Sequence, residues 1–330
     1  MPDATQTLNG PPDPHITSEA FSRKITVCEG LSIRTTDWMP VQYAVAEFLT
    51  KVTQHEQGPK DGTCFLPGTL RGTRRKKNEV ETIEILVHDV DDGTGIEELR
   101  ESCDADGHLT AIVSSHSHMT TTTRIKSTVV EKHREKHPGA SPGEILQSLK
   151  HMRPEIAEGA TEAVDGDYVV FTHKPCPKWR VLRPLSEPFD TSSGVELWKA
   201  LRKADEAALQ INGDAQTHDL SRIFFYPRFS GEVRPVSVII NGPLLSIGEL
   251  DVGPPETVNE TPEGSGAGTV EDLADDTAVD LTHKTAKDLT IDIEVEATGS
   301  RSGHLRMLAQ LYGQYIQSPV EMLQAHGYEL

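Results

Sequence analysis

The sequence predicts an α+β fold whose core is RRM-like, that is, a ferredoxin-like split βαβ unit. Two observations support this prediction. Predicted strands and helices follow one another in the order β-α-β-β-α-β between residues 83 and 226, and both helices begin at a capping-box pattern. In addition, no glycine-rich phosphate loop follows any strand, which disfavours a dinucleotide-binding fold. Extra helix and strand elements are expected before this unit, and a helical insertion is expected inside it.

The first half of the unit opens with an apolar strand over Ile83–Val90. Thr94 and Glu97 have capping-box spacing, so they start a helix that runs to about Cys103. Alternating apolar residues then predict a second strand over Leu109–His118.

The second half begins with a third strand over Trp179–Pro184. Ser193 and Glu196 cap a helix that continues through Gln210 with its apolar residues on one side. The run Arg222–Tyr226 is the fourth predicted strand.

About fifty residues separate the second and third strands, and we interpret residues 119–166 as an insertion in this hairpin. Within it, Ser141, Pro142 and Glu144 form an N-cap, an N1 proline and an N3 glutamate, which predict the start of a helix. The run Tyr168–Thr172 predicts an extra strand. Upstream of the core, we predict a helix from Thr36 to about Val52.

The chain of 330 residues has a formal net charge of −19, but the acidity is concentrated in one segment. Residues 251–300 hold thirteen Asp and Glu against two Lys. Few of these residues are aromatic and many are small and polar, so the segment cannot bury enough surface to offset its ordering entropy. We expect a disordered N-terminus (1–24), a main domain (25–250), an acidic disordered linker (251–302) and a C-terminal helical segment (303–330).

The cellular compartment can also be predicted from the sequence. No apolar stretch approaches the roughly 20 residues of a membrane span, and the first thirty residues lack a signal-peptide pattern. The four cysteines lie far apart without a C-x-x-C pair, which is typical of reduced thiols. We therefore expect a protein of the bacterial or host-cell cytoplasm without a membrane partner.

Two carboxylates at the end of the first strand are the most informative feature of the sequence. Asp89 and Asp91 are two residues apart, so both side chains project from the same face of the strand. A divalent cation could bind between them. A third carboxylate is expected if two metal ions are held, and the candidates are Asp214 and Asp219, just before the fourth strand. Nearby, Arg222 could contact a phosphate.

Histidines and cations on the other strands suit an anionic substrate. If the second strand runs to His118, then Ser114, His116 and His118 share one face, and we expect this strand to neighbour the Asp89 strand. On the third strand, Lys178 and Arg180 share a face. Two basic clusters could also meet phosphates: Arg71–Lys77 and His173–Arg183.

Together these residues resemble the archaeo-eukaryotic primase (primase-polymerase) superfamily, and more locally the replication primases of phages, plasmids and integrative elements. The matching motifs are Val87–Asp91, Ser114–His116, Lys178–Arg180 and Asp214 with Arg222. An alternative alignment places the histidine motif at Thr172–His173, and Asp219 competes with Asp214. The resemblance covers about residues 25–241, strongest over 83–118 and 171–228.

The resemblance implies that residues 25–250 form a catalytic domain for template-directed nucleotidyl transfer that makes primers on single-stranded DNA. Asp89, Asp91 and Asp214 would hold two Mg²⁺ or Mn²⁺ ions. NTP or dNTP would be bound by five residues, with His118, Asp219 and His173 as further candidates. The five are Ser114, His116, Lys178, Arg180 and Arg222. The template would contact His173–Arg183 and the insertion, and a replicative helicase would act in cis or in trans.

Two alternatives use the same residues differently. A metal-dependent nuclease or phosphohydrolase would employ Asp89, Asp91, His116 and His118 to release nucleotides. A non-catalytic replication-initiation module would bind DNA through the basic strand and would not need the two aspartates.

Overall fold

The computed structural model describes residues 19–231 and 233–252. Most of the predicted N-terminal segment 1–24, nearly all of the predicted linker 251–302 and the predicted C-terminal helical segment 303–330 lie outside the described residues. None of the helices within the described ranges is long and apolar enough to cross a membrane.

The strands and helices have the following bounds. The strands are β1 (Lys24–Gly30), β2 (Met39–Ala44), β3 (Glu56–Gln57), β4 (Cys64–Leu66), β5 (Gly68–Leu70), β6 (Val80–Val90), β7 (Thr110–Ser114), β8 (Thr120–Lys126), β9 (Thr161–Asp165), β10 (Tyr168–Cys176), β11 (Trp179–Asp190), β12 (Phe224–Phe225), β13 (Arg228–Phe229) and β14 (Ser237–Ile240). The helices are α1 (Val45–Thr53), α2 (Ile96–Asp106), α3 (Ser127–Lys136), α4 (Pro142–Lys150), α5 (Pro154–Ala157) and α6 (Val195–Ala208).

A five-stranded sheet in the order β14-β7-β11-β6-β5 forms the centre of the molecule, and every neighbouring pair in it is antiparallel. β6 and β7 consequently run parallel to each other, with β11 between them and α2 connecting them. The β-α-β-β part of the predicted order is therefore present in this mixed α/β structure. The prediction that the second strand neighbours the Asp89 strand is wrong, because β11 separates the two.

The fourth predicted strand, 222–226, has a different position from the one expected. Only Phe224–Phe225 is a strand, and it pairs with β4 in a second sheet of order β12-β4-β1-β2. The edge of the central sheet beside β6 is taken by β5 instead. Phe224 packs on Phe65 and Tyr226 packs there too, with ring centroids 5.9 and 5.1 Å from that of Phe65, so aromatic packing fixes this segment in the second sheet.

The predicted helix from Thr36 to Val52 is half wrong, because its first part is strand β2 and the helix begins at Val45. Pro40 disfavours helical geometry in the residue before it, which explains the extended start. Most of the large apolar residues of this segment are buried, whereas Val41 is half-exposed. The buried ones are Trp38, Val45, Phe48, Leu49 and Val52.

Each face of the central sheet is covered by a different layer. Along β6, Leu86, His88 and Val90 face α2 and α6. The alternate residues Ile85 and Val87 pack against α1 and the second sheet. Strand alternation places Asp89 on this second side, near the end of the strand, where the covering layer leaves a cleft.

The insertion has its own small core. A three-stranded sheet, β8-β10-β9, packs with α3, α4 and α5 around Phe171 and Leu146. The predicted helix start is confirmed, since the Ser141 hydroxyl accepts from the Glu144 backbone N–H and the Glu144 carboxylate accepts from the Ser141 backbone N–H.

Candidate active site

A cleft lies where β6 and β7 end and β11 begins, bounded on its other side by the chain from Phe225 to Arg228. Its lining combines carboxylates, cations and a few aromatic residues. The polar lining side chains are Lys60, Asp89, Asp91, Ser114, Ser115, His116, Ser117, Arg180, Tyr226 and Arg228. The structure thus brings together five of the residues singled out in the sequence, from three different strands or strand ends.

Asp89 and Arg180 form a two-point ion pair within this cleft. The residues lie directly opposite each other in the β6/β11 register. Arg180 Nε donates to Asp89 Oδ1 at 2.8 Å, and Nη2 donates to Oδ2 at 3.3 Å. Burial opposes ionisation of Asp89, but Arg180, with Arg222 and Lys60 contributing, holds its pKa below the ordinary value.

The same guanidinium is fixed by further contacts. Arg180 Nη1 donates to the Phe225 carbonyl at 2.8 Å, and the guanidinium lies 4.9 Å from the centre of the Phe224 ring. The cation is therefore pre-positioned at the cleft wall.

Asp91 has the opposite electrostatic character. It is exposed at the cleft, yet desolvation by the surrounding protein raises its pKa, and the charges of Asp89 and Asp214 add to the effect against the attraction of Lys178. The negative charge of Asp91 is thus incompletely compensated. A bound cation would relieve this repulsion.

Of the two candidates for a third carboxylate, the structure brings Asp214 to the pair. The Asp214 backbone N–H donates to the Asp89 carbonyl at 3.0 Å, and its charge contributes to the raised pKa of Asp91. Asp219 instead forms a turn, in which its carboxylate accepts from the backbone N–H and hydroxyl of Ser221. Arg222 lies close enough to Asp89 to lower its pKa.

His116 lines the cleft, although the strand that was expected to carry it ends at Ser114. Residues 116–119 form a turn, so the expected alternation of Ser114, His116 and His118 on one face is wrong. His116 Nε2 donates to the Gly58 carbonyl at 3.1 Å, which leaves Nδ1 as the second polar atom of the ring.

Ser114 has structural partners. Its hydroxyl accepts from the Val236 backbone N–H at 3.0 Å, and His55 Nε2 lies 3.1 Å away. His55 and the cleft cations Lys60 and Arg228 were not predicted from the sequence. Arg228 could have been found in the sequence, because it follows the Tyr-Pro pair after β12. Lys60 lies in a Gly-rich turn, and no sequence pattern there indicates a functional residue.

Two predicted histidines lie elsewhere. The ring of His118 packs against Trp179 at a centroid distance of 4.3 Å, and its Nδ1 is 3.1 Å from the Lys178 backbone. His173 is buried in the insertion, where it contacts Thr123 at 2.9 Å. Neither belongs to the cleft lining, so the structure favours the His116 alignment over the His173 alignment.

The basic cluster His173–Arg183 does not form the surface that was expected. Trp179 and Arg183 are buried. The Arg183 guanidinium contacts Asp205 and Asp106 on the helix side of the sheet. Lys174 pairs with Glu158 at 2.7 Å. The reason is strand alternation, which turns every second residue of β11 away from the cleft.

Directly behind Asp89, a group of buried charges fills the space between β6 and α6. His88 is fully buried, and its Nε2 donates to Asp205 at 2.7 Å. Arg202 Nη2 donates to the Val87 carbonyl at 2.7 Å and lies 3.0 Å from His88 Nδ1. Burial opposes ionisation of Glu206, but a hydrogen bond from His218, with His88 beside it, lowers its pKa to about 2.

The Thr217 hydroxyl connects this buried group to the loop that carries Asp214. Arg202 Nη2 also donates to Thr217 Oγ1 at 2.8 Å, and that hydroxyl donates to the Asp214 carbonyl at 2.6 Å. Since the Asp214 backbone N–H in turn binds the Asp89 carbonyl, the loop with Asp214 is tied to β6.

The carboxylates fit a hard divalent cation by their chemistry, but they do not form a complete cage. Among the described residues, no three carboxylate, imidazole or thiol side chains are grouped so that they could hold a metal ion. Mg²⁺ commonly binds to one or two carboxylates and completes its shell with water and substrate phosphates. Asp91, with its raised pKa, and Asp89 match that mode of binding.

No family model matches the chain, and no curated protein matches it. Among solved structures, the AEP domain of the primase-polymerase (PrimPol) of cyanophage S-2L is similar to it, with 12% sequence identity and a TM-score of 0.30. The match covers 71% of this chain and 90% of that domain. A likeness at this level carries no argument about the function of the chain.

Proposed function

We propose that the chain is a primase-polymerase, a template-directed nucleotidyltransferase that makes primers on single-stranded DNA. The observation that carries the proposal is the composition of the cleft. Asp89 and Asp91 share it with His116 and with the cations Lys60, Arg180 and Arg228, and these four residues come from four other segments of the chain. Carboxylates beside converging cations suit a metal-bound triphosphate.

The protein groups have separable roles in this proposal. Arg180 is the main ligand for the triphosphate, because its guanidinium is already held at the cleft wall and can donate to phosphate oxygens. Lys60 and Arg228 add positive charge at the rim, and His116 offers a ring nitrogen. Asp89 and Asp91 would hold Mg²⁺ or Mn²⁺, with water and phosphate oxygens completing the shell, and Asp214 would lie near them as a third negative charge. When bound, the ions would activate a 3′-hydroxyl and neutralise charge on pyrophosphate.

The geometry supports this proposal over the hydrolase alternative. The hydrolase required His118 as a fourth functional side chain, and that ring packs on Trp179 outside the cleft lining. A DNA-binding module without catalysis would not require Asp91, whose charge is poorly compensated. No further alternative is favoured by a specific contact.

A comparison of three proteins tests the proposal. Wild type, Asp91→Asn and Asp219→Asn are incubated with single-stranded DNA, labelled nucleotides and Mn²⁺, and the products are resolved by length. We expect Asp91→Asn to lose about 10²–10³-fold in rate, as when one preorganised electrostatic group is removed from other enzymes. Asp219→Asn removes an equal charge from a turn outside the cleft and should keep its rate.

The outcomes assign the function. Labelled extension products that depend on Asp91 support the primase-polymerase. Shortened template with no extension would favour the hydrolase, and DNA binding unaffected by Asp91→Asn without any turnover would favour the binding module. Equal thermal melting of the three proteins shows that Asp91→Asn acts on the site, since Asp91 is exposed.

A further inference from the structure

The residues His173–Arg183, which were expected to hold the template strand, do not form a surface for it outside the cleft. Within His173–Arg183, the side chains of His173, Trp179 and Arg183 are buried, and Lys174 is paired with Glu158. If the chain binds a template, the strand must be held by the insertion or by another basic surface.

The loop between β5 and β6 is such a surface. Residues 71–77 hold five basic side chains, and every residue from 71 to 78 is exposed. The loop is the connection of a hairpin, closed by the Arg71 backbone N–H donating to the Glu79 carbonyl at 2.8 Å. Clustered exposed cations of this kind attract a polyphosphate backbone.

Contacts link this loop to the cleft. Arg75 Nη1 donates to the Ser221 carbonyl at 3.1 Å. Ser221 lies four residues before Phe225, whose carbonyl accepts from Arg180 Nη1 at the cleft wall at 2.8 Å. The segment from Ser221 to Phe225 therefore connects the basic loop to the cleft.

An exposed apolar surface adjoins the same loop, which is a second and independent observation. The Trp38 backbone N–H donates to the Thr73 carbonyl at 2.7 Å, so the segment 31–39 lies beside the loop. That segment exposes Leu31, Ile33 and Met39, with 81%, 49% and 61% of their surfaces accessible. Unpaired bases, unlike the bases inside a duplex, can contact apolar side chains.

We propose that residues 71–77, together with the exposed apolar residues of 31–39, bind single-stranded DNA that leads to the cleft. The proposal rests on the proposed function for its direction, because the strand is expected to reach Asp89 and Asp91. The cations would hold the phosphates and the apolar side chains would contact bases. Arg75 anchors the loop, and the cations at 71, 74, 76 and 77 remain for the strand.

The test compares two variants that lose the same charge. One carries Arg74→Gln, Lys76→Gln and Lys77→Gln in the loop; the other carries Lys132→Gln, Lys136→Gln and Lys150→Gln, exposed positions on the insertion. Binding of fluorescent single-stranded DNA to the full chain is measured across a salt series. Each phosphate contact to a single strand contributes about 0.7 to the slope of log affinity against log salt, so the loop variant should lose about 2.

Three results would overturn the proposal: an unchanged slope in the loop variant, an equal loss in the insertion variant, or binding of wild type to anionic lipid vesicles in place of DNA. Failure of the proposed function is distinguishable, because Asp91→Asn removes activity and should leave the salt slope intact. A slope that depends on the loop in a protein without polymerase activity would support the surface and refute the enzyme.

Discussion

The two faces of β6 differ in how completely their charged and polar side chains are paired. His88 faces α6, is fully buried and has a partner for each ring nitrogen. Its neighbour Asp89 faces the cleft, where it forms an ion pair with Arg180 and where Asp91 beside it is incompletely compensated. Adjacent residues of one strand thus belong to a closed network and to an open site.

The difference teaches which charges are available for chemistry. A buried charge is tolerated only when it is paired and hydrogen-bonded, so the groups around His88 are committed to one another. Charges at the cleft retain water access and can exchange partners. Function is expected from the cleft, and stability and positioning from the buried network.

The largest expected effect is on stability, from breaking the buried network at Asp205. Asp205 is fully buried and contacts both His88 and Arg183, so Asp205→Asn removes the anion that these two groups share, while Arg183 keeps its contact with Asp106. Removing one partner of a buried ion pair costs about 3–5 kcal/mol, and we expect the free energy of unfolding in urea to fall by that amount. Asp104→Asn, which breaks an exposed pair with Arg100 on α2, should cost less than about 1 kcal/mol.

Equal destabilisation by these two variants would contradict the comparison, since it would mean that burial makes no difference to the stability contributed by an ion pair. Unfolding is followed by both fluorescence and circular dichroism, so that a transition with an intermediate is recognised.

A smaller effect is expected when Arg180 is removed from the cleft. Arg180 occupies both oxygens of Asp89, so a cation that binds Asp89 must compete with it. In Arg180→Gln we expect Mn²⁺ to bind about tenfold more tightly in the absence of nucleotide, because a charged hydrogen bond contributes about 1.5–3 kcal/mol before screening. Free Mn²⁺ is measured by electron paramagnetic resonance.

Lys178→Gln is the matched control for that measurement. Lys178 attracts Asp91 from nearby and thereby opposes the rise of its pKa, so its loss changes the charge by the same amount. A gain in Mn²⁺ affinity as large in Lys178→Gln as in Arg180→Gln would show that net charge, and not the pairing of Asp89, governs metal binding.

Local sequence patterns predicted where helices and strands occur better than they predicted which strands pair with each other. The capping box at Ser141 and the strand carrying Asp89 were found because each depends on residues close in sequence. The position of β12 was missed because it depends on Phe224 packing against Phe65, about 160 residues earlier. The extended start at Met39 could have been predicted from Pro40.

The site residues were predicted correctly where strand alternation determines which way a side chain points. Asp89, Asp91 and Arg180 project toward the cleft by the two-residue rule. The same rule failed beyond Ser114, because β7 ends there and a turn carries His116. Lys60 and His55 come from a segment that joins the site only through tertiary packing, so no local pattern marks them.

The smallest expected effect sharpens the comparison at the point where the two regions touch. The Thr217 hydroxyl accepts from Arg202 and donates to the Asp214 carbonyl. Thr217→Val keeps the shape and removes both hydrogen bonds, while Thr217→Ser keeps the hydroxyl. A neutral hydrogen bond contributes about 1 kcal/mol, so we expect kcat of primer extension to fall about fivefold in Thr217→Val, with KM for nucleotide unchanged and activity restored in Thr217→Ser. KM is expected to stay unchanged because a looser loop around Asp214 should change the rate of the chemical step before it changes nucleotide binding. A fall in thermal stability without a fall in kcat would instead show that Thr217 acts only within the buried network.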